Sequence, residues 1–175
     1  MPTDPFKQVK AYFSPGRDAL EVTIGFIQNT KKTLDVAIFS LTHAKIVGAL
    51  LSAHARGVKG GDGGAIRILT DKDQMGGMAQ REAAQSLSVA GLDVRVDTES
   101  GYFHNKYAIS DYGKRGAAVI CGSYNWTARA TERNRESLVR IRVRAVVGQF
   151  HQNFEEVWAA NGTVRAFGPT TLRPE

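Results

Sequence analysis

Apolar and polar positions along this chain switch repeatedly between a period of two and a period near four. Leu34–Phe39 (LDVAIF) is a strand-length run of apolar, β-branched and aromatic residues. Val9–Phe13, Ala65–Thr70, Leu92–Val96, Tyr107–Ser110, Ala117–Cys121 and Ser137–Ile141 read as further short strands. Between them, apolar residues recur at helical spacing. Asp18 is placed to cap a helix with Leu20, Ile24 and Ile27 on one face, and Thr42 starts a second with Ile46, Leu50 and Ala53 in register, stopped by Gly57. Met75-Gly76-Gly77-Met78 opens a third helix through Ala83, Leu87 and Ala90, which Gly91 ends. A last helix carries Val147, Phe150, Phe154, Val157 and Trp158 on one face, with Asn161-Gly162 as its stop. This alternation predicts an α/β fold with a mixed, mainly parallel β-sheet and helices on both faces. Without repeats, low-complexity tracts or linkers, residues 1–175 are expected to form one domain.

Two segments interrupt the pattern with turn chemistry. Five glycines between Gly57 and Gly64 precede a strand instead of opening a helix, and no Gly-Lys-Ser/Thr follows, so a connector is the expectation and a phosphate cradle is not. Asp111-Tyr112-Gly113-Lys114-Arg115-Gly116 has the composition of a hairpin loop.

Composition narrows the function classes. The chain of 175 residues has 42% hydrophobic and 23% charged residues, ordinary for a folded domain. A single cysteine, Cys121, excludes an internal disulfide framework and a multi-cysteine metal site. The net charge of +6 favours a polyanionic partner. No run reaches the ~18 apolar residues of a membrane-spanning helix. The N-terminal segment lacks an apolar signal region, so a cytoplasmic location is the default expectation, with no stable membrane insertion.

Phosphate-competent side chains concentrate in the second half. In an extended segment His104 and Lys106 project from one face, an imidazole beside an ammonium. The ammonium can neutralise non-bridging phosphate oxygens while the imidazole attacks or exchanges protons. Ser123 and Asn125, in Gly122-Ser123-Tyr124-Asn125-Trp126-Thr127, are again two apart and can both donate to phosphate oxygens. Glu136 can accept a hydrogen bond from a histidine ring and fix its tautomer. Asp111 falls on the opposite strand face from His104 and Lys106, which predicts a structural role. Arg129, Arg133, Arg135, Arg140, Arg142 and Arg144 lie close in sequence and could reach a nucleic-acid backbone.

In order, these elements resemble the signature of the phospholipase D superfamily. His104-x-Lys106-x4-Asp111 matches HxKx4D, GSYNWT matches GSxNxT, and Glu136 stands where that family places an acid. YFSPG, LDVAIFSLT and VDTESGYFHNK are similar to the corresponding stretches of the superfamily's single-domain bacterial endonucleases, and the likeness runs through nearly the whole chain. The resemblance implies a phospholipase D/nuclease-like fold and a phosphodiester hydrolase with a phosphohistidine on His104. Lys106, Ser123 and Asn125 would bind the phosphate. It also implies a second histidine to protonate the leaving oxygen. Since the motif occurs once, and His43, His54 and His151 lack a lysine two residues on, a homodimer sharing one active site is the expectation. His43 follows a strand end, where it could line the cleft rim. No cofactor or metal is expected, because the lysines supply positive charge. The leading substrate expectation is DNA or RNA. The alternatives are a phospholipase D or phosphatidyltransferase acting on lipid head groups, and a non-enzymatic nucleic-acid-binding module.

Overall fold

The computed structural model describes residues 8–16, 18–99, 101–160 and 164–166. Eight strands form one sheet: β1 (Val9–Ser14), β2 (Leu34–Ile38), β3 (Arg67–Asp71), β4 (Asp93–Asp97), β5 (Lys106–Ser110), β6 (Ala118–Gly122), β7 (Glu136–Ile141) and β8 (Val164–Ala166). Among the described residues five α-helices accompany them, α1 (Asp18–Asn29), α2 (Ala44–Ala55), α3 (Met78–Val89), α4 (Ala128–Glu132) and α5 (Arg144–Trp158), with a short 3-10 helix at Asp73–Gly76. The sheet order is β1-β7-β6-β5-β2-β3-β4-β8.

The sheet is mixed, as the alternation predicts, but it is not mainly parallel. Only β2–β3 and β3–β4 run parallel, and the other five interfaces are antiparallel. The reason lies in the connections. Helices α2 and α3 carry the chain back between the parallel strands, whereas the short loop at 111–117 can only fold β5 against β6 as a hairpin. Segment 123–135 returns the chain for β7 in the same up-and-down manner.

Alternate residues of the central strands feed two cores. Val36, Ile38, Ile68, Ala108 and Ile120 pack with Ile27, Ile46, Leu50 and Leu87 of the helices on one side. Ala37, Leu69, Tyr107, Ile109 and Val119 pack on the other side with Val147, Phe154 and Trp158 of α5. Burial on both faces explains why β2 reads as a nearly continuous apolar run. Helix α2 begins at Ala44 and not at Thr42, because the Thr42 and His43 N–H groups are both taken by the Trp126 carbonyl. His43 then caps the helix, its Nδ1 accepting from the Lys45 N–H. The expected stop at Asn161-Gly162 lies outside the described residues.

The glycine-rich loop is a connector with a packing function. It closes over an ion pair in which Arg67 Nε donates to Asp35 Oδ1 at 2.7 Å, both side chains being 1% exposed. Arg67 reaches on to Glu155 of α5 at 2.5 Å and lies over the Phe154 ring. A Cβ on Gly61 would stand 2.6 Å from Asp35 Oδ2, and one on Gly60 would stand 2.4 Å from the Ala65 carbonyl oxygen. Neither position has room for a side chain.

Candidate active site

The parallel strands β2, β3 and β4 all finish at one end of the sheet, and β5 and β7 begin there. Every residue singled out for phosphate chemistry except Asp111 sits at that end. Lys106 is the first residue of β5, opposite Ile38 of β2. His104 precedes the strand and is exposed, while Lys106 is buried. The pair is therefore not held by strand alternation alone. Lys106 Nζ folds back to donate to the His104 carbonyl at 2.8 Å, which ties the ammonium to the backbone of the exposed histidine.

An aromatic ring links the two side chains. Phe39, just past β2, has its centroid 4.6 Å from that of the His104 imidazole and 4.8 Å from Lys106 Nζ. The first contact packs the imidazole, and the second places the ammonium against an electron-rich face. Phe39 N–H also donates to the Asn105 carbonyl at 2.8 Å, extending the β2–β5 pairing as far as the motif. A second anchor is Asp71, fully buried at the end of β3. Its Oδ2 accepts from the Phe103 N–H at 2.7 Å, and its Oδ1 accepts from Asp73 and Gln74 N–H groups. Neither Phe39 nor Asp71 stands out in the sequence as a site residue. An acid ending an apolar strand (RILTD) is the signal that could have pointed to Asp71.

Burial draws the Lys106 ammonium below the ordinary lysine range, and the carboxylates of Glu136 and Asp71 act against that shift. Glu136 opens β7 beside the site, and its Oε1 accepts from Asn134 Nδ2 at 3.0 Å. Within this chain it makes no hydrogen bond to the His104 ring, so its charge reaches the site through Lys106.

The GSYNWT segment divides between anchoring and display. Gly122 lies so close to β7 that a Cβ would stand 2.1 Å from the Ser137 carbonyl oxygen. Ser123 is exposed, and its Oγ accepts from the Ser137 N–H at 3.1 Å, leaving the hydroxyl proton to donate outward. Tyr124 and Trp126 are buried and bracket Asn125, whose Oδ1 is buried without a partner. Trp126 exchanges backbone hydrogen bonds with Ser40, Thr42 and His43, drawing the loop to the end of β2. Thr127 caps α4 by accepting from the Ala130 N–H.

Asp111 lies at the other end of β5. Its buried carboxylate accepts from the backbone N–H groups of Lys31, Lys32 and Thr33, the shortest contact being 2.6 Å to Lys32. It sits with φ 52°, a left-handed conformation that Asp and Asn tolerate better than most residues. These contacts are with backbone, and what separates Asp111 from His104 and Lys106 is the length of β5, since Asp111 lies past the strand and not on one of its faces.

The other histidines stand apart from the motif. His43 caps α2 at the site end of the sheet, where burial and Lys45 lower its pKa. His151 stacks on Tyr112 with centroids 3.7 Å apart. The His54 ring lies beside Gly91. The six arginines do not act as one group. Arg129, Arg133 and Arg135 belong to α4 and the approach to Glu136, but Arg140 lies within β7, and Arg142 and Arg144 follow its far end. Among the described residues, ligand-capable side chains converge once, at Asp35, His151 and Glu155, and Arg67 already pairs with both carboxylates there.

Comparisons with known proteins agree with this architecture. Residues 23–158 match the family described as cardiolipin synthase, PLD-like domain. The mitochondrial cardiolipin hydrolase of Xenopus tropicalis is 32% identical over 154 residues, covering 88% of this chain and 68% of that protein. Phospholipase D of Rickettsia conorii is 30% identical, covering 88% and 71%. The crystal structure of Nuc from Salmonella typhimurium, a phospholipase D family member, aligns with a TM-score of 0.80 and 25% identity, covering 91% of this chain and 97% of Nuc. A family match across most of the chain, together with a fold shared with Nuc, makes this protein a member of the phospholipase D superfamily of phosphodiesterases.

Proposed function

We propose that this protein is a metal-independent nuclease that cleaves DNA or RNA through a phosphohistidine on His104. The observation that carries the reading is an exposed imidazole backed by a buried ammonium, with Ser123 and Asn125 at the same sheet end. In the first step an imidazole nitrogen forms a bond to phosphorus and the P–O bond to the leaving nucleotide breaks. The departing oxygen takes a proton from His104 of a second copy. In the second step that same histidine removes a proton from water, the resulting oxygen attacks phosphorus, and the P–N bond breaks to regenerate His104. Lys106, Ser123 and Asn125 hold the non-bridging oxygens as charge builds on them. Lysine charge takes the place that a divalent cation fills in metal-dependent nucleases.

A polyanionic substrate is supported by the net charge of +6 and by Arg129, Arg133 and Arg135 beside the approach to the site. A lipid substrate is the second reading. It is favoured by similarity to a cardiolipin hydrolase and by exposed Tyr102, whose ring packs edge-on against Phe39 beside His104. No helix among the described residues is long and apolar enough to cross a membrane.

The test is hydrolysis of plasmid DNA, single-stranded RNA, and phosphatidylcholine and cardiolipin vesicles, in EDTA, with His104→Ala as control. Nucleic-acid cleavage that survives EDTA and disappears in the variant is the expected result. Cleavage of lipid alone supports the second reading. Equal activity in the variant, or loss in EDTA with recovery on adding Mg²⁺, refutes the mechanism.

A further inference from the structure

The end of the sheet opposite His104 carries a concentration of positive charge without described carboxylate partners. Asp111 gathers the first part of it, because its carboxylate binds the N–H groups of Lys31 and Lys32 while it opens the hairpin bearing Lys114 and Arg115. Two more cations join from the helical side. Lys59 N–H donates to the Lys32 carbonyl, and the Arg56 guanidinium donates to the Ile27 and Gln28 carbonyls at the end of α1. On the other side of the hairpin, Arg142 lines a cavity with Asn29, Asp111 and Gly116, and Arg144 lines a pocket with Tyr112 and Lys114.

All eight of these side chains are exposed, and none has a described carboxylate within 4.0 Å. The nearby acids are otherwise engaged. Asp111 is buried under backbone N–H groups, and Asp35, Asp62 and Glu155 face Arg67. Like charges brought together without counterions repel one another, and a bound polyanion would remove that cost.

We propose that this face is a second, non-catalytic nucleic-acid-binding surface that holds the phosphate backbone of a segment remote from the one being cut. A five-residue strand spans about 17 Å, so phosphates at this face are not the neighbours of the scissile phosphate on the same short stretch. The proposal rests on the nucleic-acid reading of the active site. Two observations favour nucleic acid over an anionic membrane. The large apolar side chains exposed at this end, Val9, Val89 and Tyr112, stand on β1, on the last residue of α3 and on the hairpin. Strand β7 stands between Val9 and the hairpin, and β2 and β3 stand between the hairpin and β4, which follows α3, so these side chains offer no single patch to insert among lipid chains. A membrane bound here would also face away from His104, where a lipid could not be cleaved.

The experiment compares the full chain with the Lys31→Gln/Lys32→Gln/Lys114→Gln/Arg115→Gln variant. Binding is measured in a His104→Ala background to a 60-base-pair duplex, an 8-base oligonucleotide and phosphatidylserine vesicles across a salt series. Hydrolysis of bis(p-nitrophenyl) phosphate is followed with His104 intact. The expected result is weaker binding of the long duplex by about tenfold or more at moderate salt. The slope of log affinity against log salt should fall by ~0.9 for each phosphate that the variant no longer neutralises. Oligonucleotide binding and small-diester hydrolysis should be unchanged. Unaltered duplex affinity and slope overturn the proposal, as does a loss confined to vesicles, which would assign the face to a membrane. If neither parent nor variant binds nucleic acid while the small diester is still hydrolysed, the nucleic-acid reading itself fails. If the parent binds the duplex and the variant binds it equally, only the second surface fails.

Discussion

Lys106 is the residue in which fold and chemistry meet. It is buried enough to lose hydration, yet the proposed mechanism needs it charged to hold a phosphate. Burial favours the neutral amine, so the charged fraction begins to fall at a lower pH than for a free lysine. The expected outcome is an alkaline limb in kcat/KM at a pH below the ordinary lysine value of 10.5. Lys106→Arg, whose guanidinium stays charged, should lower the rate and remove that limb. A pH–rate profile on a small diester checks this, and an unchanged limb in the variant assigns the titration to another group. Lys106 is readable from the two-residue motif, but its tether to the His104 carbonyl is not, because that bond needs the chain to leave strand geometry at His104. Phe39 escapes sequence reading for a related reason. In sequence it is one more apolar residue ending a strand, and only the β2–β5 pairing brings it beside the imidazole.

At the scale of elements, β5 acts as a rod with a functional group at one end and a staple at the other. Asp111 satisfies N–H groups of the segment entering β2, so removing its charge should loosen the junction of α1, β2 and β5. Asn keeps the shape and tolerates φ 52°, which isolates the charge. Asp111→Asn is expected to lower unfolding free energy by ~2 kcal/mol, and Asp111→Ala by ~3 kcal/mol or more as the N–H groups lose their acceptor. Urea denaturation measures both, and an unchanged midpoint in Asp111→Ala refutes the staple. Seven of the eight described strands are legible from period-two and apolar runs, with boundaries displaced by a residue or two, and the three-residue β8 is too short to show a pattern. Their directions are not legible. Alternating strands and helices suggest parallel pairing, but the 111–117 turn and the return through 123–135 impose antiparallel neighbours, a consequence of connection length that periodicity does not carry. The short helix α4 is hidden because Ala128–Glu132 has too few residues to show a period.

At the scale of the whole molecule, one HxKx4D motif supplies one histidine to the proposed mechanism, which uses two. If each active site draws His104 from two copies, a subunit carrying His104→Ala disables every site it joins. Mixing wild-type and variant chains under exchange should therefore give activity proportional to the square of the wild-type fraction. A strictly linear dependence means that one chain is sufficient. This is a property of assembly, and the sequence offers it only as a mechanistic shortfall: His43, His54 and His151 have other surroundings in the fold.

The loop over Arg67 and Asp35 has a consequence for how such a chain can change. By composition it is the segment most open to drift, a run of small residues on the surface between a helix and a strand. Yet Gly60 and Gly61 are closed to any side chain by the Ala65 carbonyl and the Asp35 carboxylate, whereas Gly63 has open space but a positive φ of 86°. Variation in this stretch is thus channelled toward changes of length at its exposed tip and away from changes of residue at its base. The tip can diversify because the buried ion pair beneath it fixes the ends of the loop in place.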